Sequence, residues 1–135
     1  MRVTTTILTG LMMVLAAAAD TVSDLRPTIR EAAANHGLDP VLVEAIIRHE
    51  SANATSSAAR KKNNLAGIMG RRGQRRYETK EDCIRDLAEL LAKYRAKGRV
   101  TLLQISRAYC SSHQEWVRGV SHYMNAIRSG KWGKI

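Results

Sequence analysis

The segment Gly37-Leu-Asp-Pro-Val-Leu-Val-Glu-Ala-Ile-Ile-Arg-His-Glu50-Ser51 constrains this chain more than any other. Asp39 is a strong N-cap, and Pro40 falls at the first helical position, where its missing N–H costs nothing. From there Leu42, Ala45, Ile46 and His49 recur at helical spacing. The intervening Val41, Val43 and Ile47 carry apolar surface around to further faces. A helix of this kind has to be buried, so the rest of the chain must pack around it.

Glu50 is the exception on that surface. It follows Ile47, Ile46 and Val43 by three, four and seven residues and therefore shares their face. It also lies in the last turn, where the negative end of the helix dipole disfavours a carboxylate. Burial and dipole both push its pKa upward. A carboxylic acid kept protonated near neutral pH is what a glycosidase uses to protonate a leaving oxygen. The plainer alternative is that Glu44 and Glu50 are ordinary exposed charges on a helix that happens to end in Glu-Ser.

The remaining sequence is also mostly helical in pattern, without internal repeats or low-complexity linkers. A first helix is expected over Val22–Asn35, with Gly37 as its stop. Ser51–Asn64 is small and polar, then basic, and reads as loop with at most one short helical turn. Residues 66–77 carry Gly67, Gly70 and Gly73 and predict a small hairpin with Gly73 at its tip. Thr79 caps a helix over Lys80–Lys97, with Asp82 placed for a weaker capping box. Thr101 caps another over Leu102–Tyr109, and a last helix runs over Gln114–Arg128. The stripe Trp116, Val117, Val120, Tyr123, Met124 and Ile127 on that last helix reads as core rather than as a sugar platform.

The ends and the charge bound the setting. Arg2, the apolar run Ile7–Ala19 and the small residues Ala17–Ala19 before Asp20 match a secretory signal peptide over residues 1–19. The alternative is an uncleaved anchor, although the run is short for a comfortable membrane span. Residues 20–135 then form one domain, in a periplasmic or extracellular location. The chain carries a net charge of +10, and losing the leader removes only Arg2, which leaves +9. Such a charge suits polyanions: nucleic acid, anionic membranes or acidic cell-wall polymer. Export argues against nucleic acid, and no stable membrane insertion is expected. Nothing in the sequence demands more than a monomer. The two cysteines, Cys83 and Cys110, suggest one disulfide in an exported protein, worth about 3–4 kcal/mol in the chain-entropy picture, with two free thiols as the alternative. Neither they nor His36, His49, His113 and His122 show tight metal-ligand spacing, so no metal or cofactor is expected.

With these residues on the page, a resemblance emerges. His36-Gly-Leu-Asp-Pro through Ala45-Ile-Ile to Glu50-Ser51 resembles the helix that delivers the catalytic acid in the lysozyme-like superfamily, which includes lytic transglycosylases and bacterial glucosaminidases. Asn63-Asn64-Leu65-Ala66-Gly67-Ile68 resembles the Asn-Asn-Leu-Phe-Gly-Ile signature of glucosaminidases in glycoside hydrolase family 73. Tyr77-Glu-Thr-Lys-Glu-Asp-Cys-Ile-Arg-Asp86 is similar to that family's Tyr-x-Ser-x-x-Glu-Ser-Ile-x-Asp segment, and Tyr109 with the Trp116–Ile127 stripe resembles its closing part. The resemblance covers about residues 25–128. It implies a mainly α, lysozyme-like domain with a small β-hairpin lobe, acting on peptidoglycan glycan strands. It further implies Glu50 as general acid and Tyr109 beside the cleaved bond, stabilising positive charge on the sugar ring. Ser51, Asn64, Gly67, Ile68 and Tyr77 would bind substrate.

Two departures from the family pattern leave the reaction open. Met69–Arg76 contains no acid and has four arginines, Arg71, Arg72, Arg75 and Arg76, where the family commonly carries a second carboxylate. Glu78 and Asp82 are the nearest candidates for that second acid. Without one, the substrate's own N-acetyl group attacks the anomeric carbon, or a muramic 6-hydroxyl closes onto it as in a lytic transglycosylase. Yet Gly67-Ile-Met-Gly70 replaces the Gly-Leu-Met-Gln of transglycosylases. The arginines grip stem-peptide carboxylates or wall phosphates, steer by their field, or form a solvated loop. Two further readings stand beside the enzyme: a non-catalytic wall-binding scaffold, and a basic module whose Leu102–Val120 stretch faintly resembles a helix-turn-helix.

Overall fold

The structure is a computed structural model that describes residues 20–135. The leader expected at residues 1–19 falls outside the described residues. The first expected helix is broken in two, α1 over Thr21–Asp24 and α2 over Arg26–Asn35. The break comes from Pro27, which has no N–H to donate to the carbonyl four residues back and whose ring crowds that carbonyl. Asp20 caps α1 by accepting from the Ser23 N–H at 2.8 Å. Gly37, at φ +63°, ends α2 as expected.

The central helix α3 spans Pro40–Ser51, capped by Asp39, whose carboxylate accepts from the Val41 N–H at 2.9 Å. Val43, Ile46 and Ile47 have no exposed surface. Each buried side chain of this kind contributes about 1.5–3 kcal/mol. α3 ends in three successive left-handed residues, Ala52, Asn53 and Ala54, none of them glycine. Ser51 holds this turn together. It is fully buried, and its Oγ donates to the Ile47 carbonyl and accepts from the Ala54 N–H at 2.9 Å. It is occupied in shaping the turn and does not reach substrate, contrary to its expected role.

The polar stretch after α3 contains a full six-residue helix, α4 over Ser57–Lys62, where at most a turn was expected. Ser56 caps it. The hairpin consists of β1 (Met69–Gly70) and β2 (Gly73–Gln74), with Met69 opposite Gln74 and Gly70 opposite Gly73. The tip is therefore Arg71-Arg72. Gly73 stands in the returning strand rather than at the tip, and its φ of +99° takes up the bend there. α5 (Lys80–Ala96), α6 (Leu102–Tyr109) and α7 (His113–Arg128) follow, and Thr101 with Gln104 closes a capping box on α6.

α3 lies at the centre, packed most extensively on α7 and also against α2, while α5 covers α2 and α6 covers α7. The close approach of α3 and α7 uses Gly119, where a Cβ would collide with the His49 ring. The fold is thus the mainly helical domain with a small hairpin that the sequence implied.

One charged cluster lies inside it. Arg48 has no exposed surface and pairs with Glu44 at 3.0 Å and Asp20 at 2.5 Å. Glu44 also receives Arg26 through two hydrogen bonds, at 2.7 and 3.0 Å. The Arg48 guanidinium lies 3.6 Å over the Trp132 ring, and Arg26 donates to the Trp132 carbonyl at 3.1 Å. Glu44 is therefore a buried, fully engaged carboxylate and not an exposed one.

The expected disulfide is absent, since both cysteines are free thiols. Cys83 faces the core from α5, and its sulfur accepts the Leu65 N–H at 3.3 Å. Burial pushes its pKa up to about 11, which keeps it protonated and unreactive. Cys110 caps the end of α6, half-buried. A reducing agent is accordingly expected to leave the melting temperature unchanged. A drop of more than a few degrees in calorimetry with reductant would show that the two sulfurs bond in solution.

Candidate active site

α3 carries Glu50 to a position against Gly67, a residue that lines a groove. Its carboxyl is half-buried where the last turn of α3 meets α7 and the chain leading into the hairpin. Trp116, near the start of α7, donates its indole N–H to Glu50 Oε1 at 2.7 Å. From the other side Gly67 approaches so closely that a Cβ there would lie 3.1 Å from Oε2. Gly67 has φ +65°, so glycine is required there both for conformation and for room. Burial raises the Glu50 pKa above its ordinary value, while the Trp116 hydrogen bond and the nearby His49 pull it partly back. The net direction is the one read from the sequence.

Tyr109, at the end of α6, lines the groove with Gly67 and Ile68. Its ring packs against Trp116 with centroids 5.5 Å apart. Its hydroxyl donates to the Ala66 carbonyl, and burial together with the Glu50 charge raises its pKa well above the usual phenol value. Tyr109 is thus a neutral hydroxyl with free lone pairs at the groove wall.

The groove has a volume of about 360 Å³ and runs from Gly67 and Tyr109 past Met69 and Leu90 to Lys93 and Tyr94. Its wall is set by Asn64, which is almost wholly buried. The Asn64 side chain accepts from the Ala66 and Ile68 N–H groups, both at 3.2 Å, and donates to the Ile68 and Arg75 carbonyls, both at 2.9 Å. With all four positions used, Asn64 shapes the loop and does not line the groove, which corrects its expected role. Asn63 does similar work on the other side, donating to the Tyr77 and Glu78 carbonyls.

Neither candidate for the second acid reaches the groove. Glu78 is exposed, and Asp82 is exposed and pairs with Arg85 at 3.4 Å. The groove's carboxylate is Asp86, one turn further along α5 than Asp82. Asp86 Oδ2 accepts both the Tyr77 hydroxyl and Arg75 Nη1, the latter at 2.9 Å. Tyr77 therefore braces Asp86, and burial with that bond raises the tyrosine's pKa. Asp86 was visible in the sequence only as the last residue of the Tyr77–Asp86 segment. Trp116 was missed as a polar partner because its spacing assigns it to the apolar stripe, and it is indeed almost fully buried.

Among the described residues no group of three His, Cys, Asp or Glu side chains is placed to hold a metal ion. No described helix is long and apolar enough to cross a membrane. The chemistry available at the groove is proton donation from Glu50, oriented by Trp116, beside a tyrosine hydroxyl.

Comparison with known families gives the chain's affiliation. The glucosaminidase family model, described as mannosyl-glycoprotein endo-beta-N-acetylglucosaminidase, matches residues 26–129. That span includes Glu50, the hairpin, Asp86, Tyr109 and Trp116. No curated protein matches the chain closely enough to be set beside it. With the family model covering most of its length and the helical fold in agreement, the chain belongs to the glucosaminidase family of glycoside hydrolases.

Proposed function

We propose that this protein is an exported peptidoglycan glycosidase that cleaves β-1,4 bonds of the glycan strand, with Glu50 as its general acid. The observation that carries the reading is the Glu50 carboxyl itself: half-buried, raised in pKa, hydrogen-bonded at 2.7 Å and set against a glycine that lines the groove. The glycan lies along the groove, and Glu50 protonates the oxygen of the leaving sugar. Tyr109 offers its hydroxyl lone pairs to the positive charge that develops on the ring.

The attack on the anomeric carbon comes from the substrate. Asp86 is held by Arg75 and Tyr77, both at Oδ2, so its charge is already compensated by the guanidinium. The N-acetyl group of the cleaved sugar then serves as nucleophile and water completes hydrolysis. A second reading is favoured by the same engagement of Asp86: closure by a 6-hydroxyl, giving the anhydro product of a lytic transglycosylase. The exposed Arg71 and Arg72 at the hairpin tip suit acidic wall polymer and the carboxylates of stem peptides.

Mass spectrometry of purified peptidoglycan after digestion tests this directly. New reducing-end N-acetylglucosamine is the expected product. Anhydro-muropeptides would assign the transglycosylase reaction. Intact strands at high protein concentration would reject catalysis and leave a wall-binding scaffold.

A further inference from the structure

The two oxygens of Glu50 are not equivalent. Oε1 accepts the Trp116 N–H at 2.7 Å, and Oε2 faces Gly67, a residue of the groove wall. An indole nitrogen is a donor only and never accepts a proton. The carboxyl oxygen that receives it therefore acts as the carbonyl oxygen of the acid, and the hydroxyl falls to the other one.

We propose that Trp116 is a positioning residue for the acid, holding the Glu50 side chain so that its transferable proton is carried on Oε2, on the groove side. This rests on the glycosidase reading of Glu50 given above. Trp116 is built to hold a direction. It is 2 % exposed, it projects from the first turns of the rigid helix α7, and its ring is clamped. Tyr109 lies against one side, with centroids 5.5 Å apart, and the His49 ring meets it edge-on at 6.4 Å. Among the described residues no other side chain hydrogen-bonds the Glu50 carboxyl. The titratable groups that face it are His49 from α3, Tyr109 from α6 and Cys110 at the end of α6, while Gly67 brings no charge from the loop.

The same bond has a second effect, opposite in sense. An N–H donated to a carboxyl favours the ionised form, so Trp116 lowers a pKa that burial has raised. Removing the N–H leaves a weaker acid, protonated to higher pH but free to turn. A merely structural tryptophan has no such signature.

The test uses the full chain with two replacements at position 116 alone: Trp116→Phe, and β-(3-benzothienyl)alanine, which keeps the ring's size and puts sulfur in place of the N–H. The second variant keeps the test valid if Phe leaves the domain loosely packed. Readouts are kcat and KM on soluble peptidoglycan fragments across pH, and the Glu50 carboxyl titration by carbon NMR. Expected are a fall in kcat of about 10–100-fold with little change in KM, an upward shift of the Glu50 titration, and an alkaline limb of the rate profile displaced upward with it. An isosteric variant with unchanged kcat and an unmoved titration would overturn the proposal. If the wild type cleaves no glycan, the glycosidase reading fails by itself. An upward titration shift would then still uphold the hold of Trp116 on Glu50, and an unmoved one would sink it.

Discussion

Glu50→Gln is expected to lose about 100- to 10,000-fold in glycan cleavage, the range that general acid catalysis typically supplies, since the carboxylate among the groove-lining residues, Asp86, is already bonded to Arg75 and Tyr77. The amide keeps the volume, and its oxygen still accepts the Trp116 N–H. The protein is therefore expected to stay folded, and stability should move in the direction that burial dictates. In the wild type the folded-state pKa of Glu50 is raised, so the native state binds its proton more tightly than the unfolded chain does. That proton contributes stability at low pH, and the contribution disappears as pH rises through the unfolded and then the folded pKa. Wherever Glu50 is ionised in the folded protein its partly buried charge opposes folding, and glutamine removes that cost. The melting temperature of Glu50→Gln should thus equal or exceed that of the wild type at pH 7, and the gap should shrink toward pH 4. Activity of the wild type should decline as pH rises through the raised pKa, because the proton to be donated is lost there. Cleavage by Glu50→Gln at more than a few per cent of the wild-type rate would remove Glu50 from the role of acid.

The parts of this site that were legible in the sequence are those set by local rules. The Asp39-Pro40 start and the period of Val43, Ile46 and Ile47 fixed both the burial of α3 and the face that carries Glu50. Thr79, Thr101 and Gly37 marked helix ends for the same reason, since capping and positive φ depend on near neighbours. What was not legible depends on partners distant in the chain. Asn64 and Ser51 are polar residues beside a site, and a sequence cannot say whether such groups face a ligand or spend their hydrogen bonds on the backbone. Both do the latter here. Trp116 lies 66 residues from Glu50 and reads as core, which it is, but one atom of its ring is polar and that atom reaches the acid. The split between α1 and α2 is of a different kind, because Pro27, which breaks the expected Val22–Asn35 helix, acts through its local backbone and is visible in the sequence.

Glu44→Gln is expected to destabilise the fold by roughly 3–5 kcal/mol, the usual result of removing one partner from a buried ion cluster. Glu44 is the hinge of that cluster because it is the carboxylate that meets both Arg26 and Arg48. Asp20 touches only Arg48 among them, so without Glu44 the buried Arg26 keeps no carboxylate partner and the fully buried Arg48 keeps one. For a domain of this size the loss should lower the melting temperature by more than about 10 °C. The acid side of the cluster titrates in the matching direction. Burial alone would raise the Asp20 pKa, but hydrogen bonds from Arg48 and Ser23 outweigh it and hold the carboxyl below its ordinary value. A depressed carboxylate stabilises above its unfolded pKa of about 3.8, and that contribution is lost as pH falls through the folded value. The wild type should therefore lose stability below about pH 4, and Asp20→Asn should lose less over the same range. The consequence reaches the site through one helix. Arg48 is two residues before Glu50, and it also donates to the Asn53 side chain at 2.9 Å, inside the left-handed turn that follows the acid. Loosening this cluster should cost Glu44→Gln activity even at temperatures where it remains folded. A Glu44→Gln protein that melts within about 3 °C of the wild type would mean that the buried arginines find compensation elsewhere, and that the anchor of α3 lies in its apolar face alone.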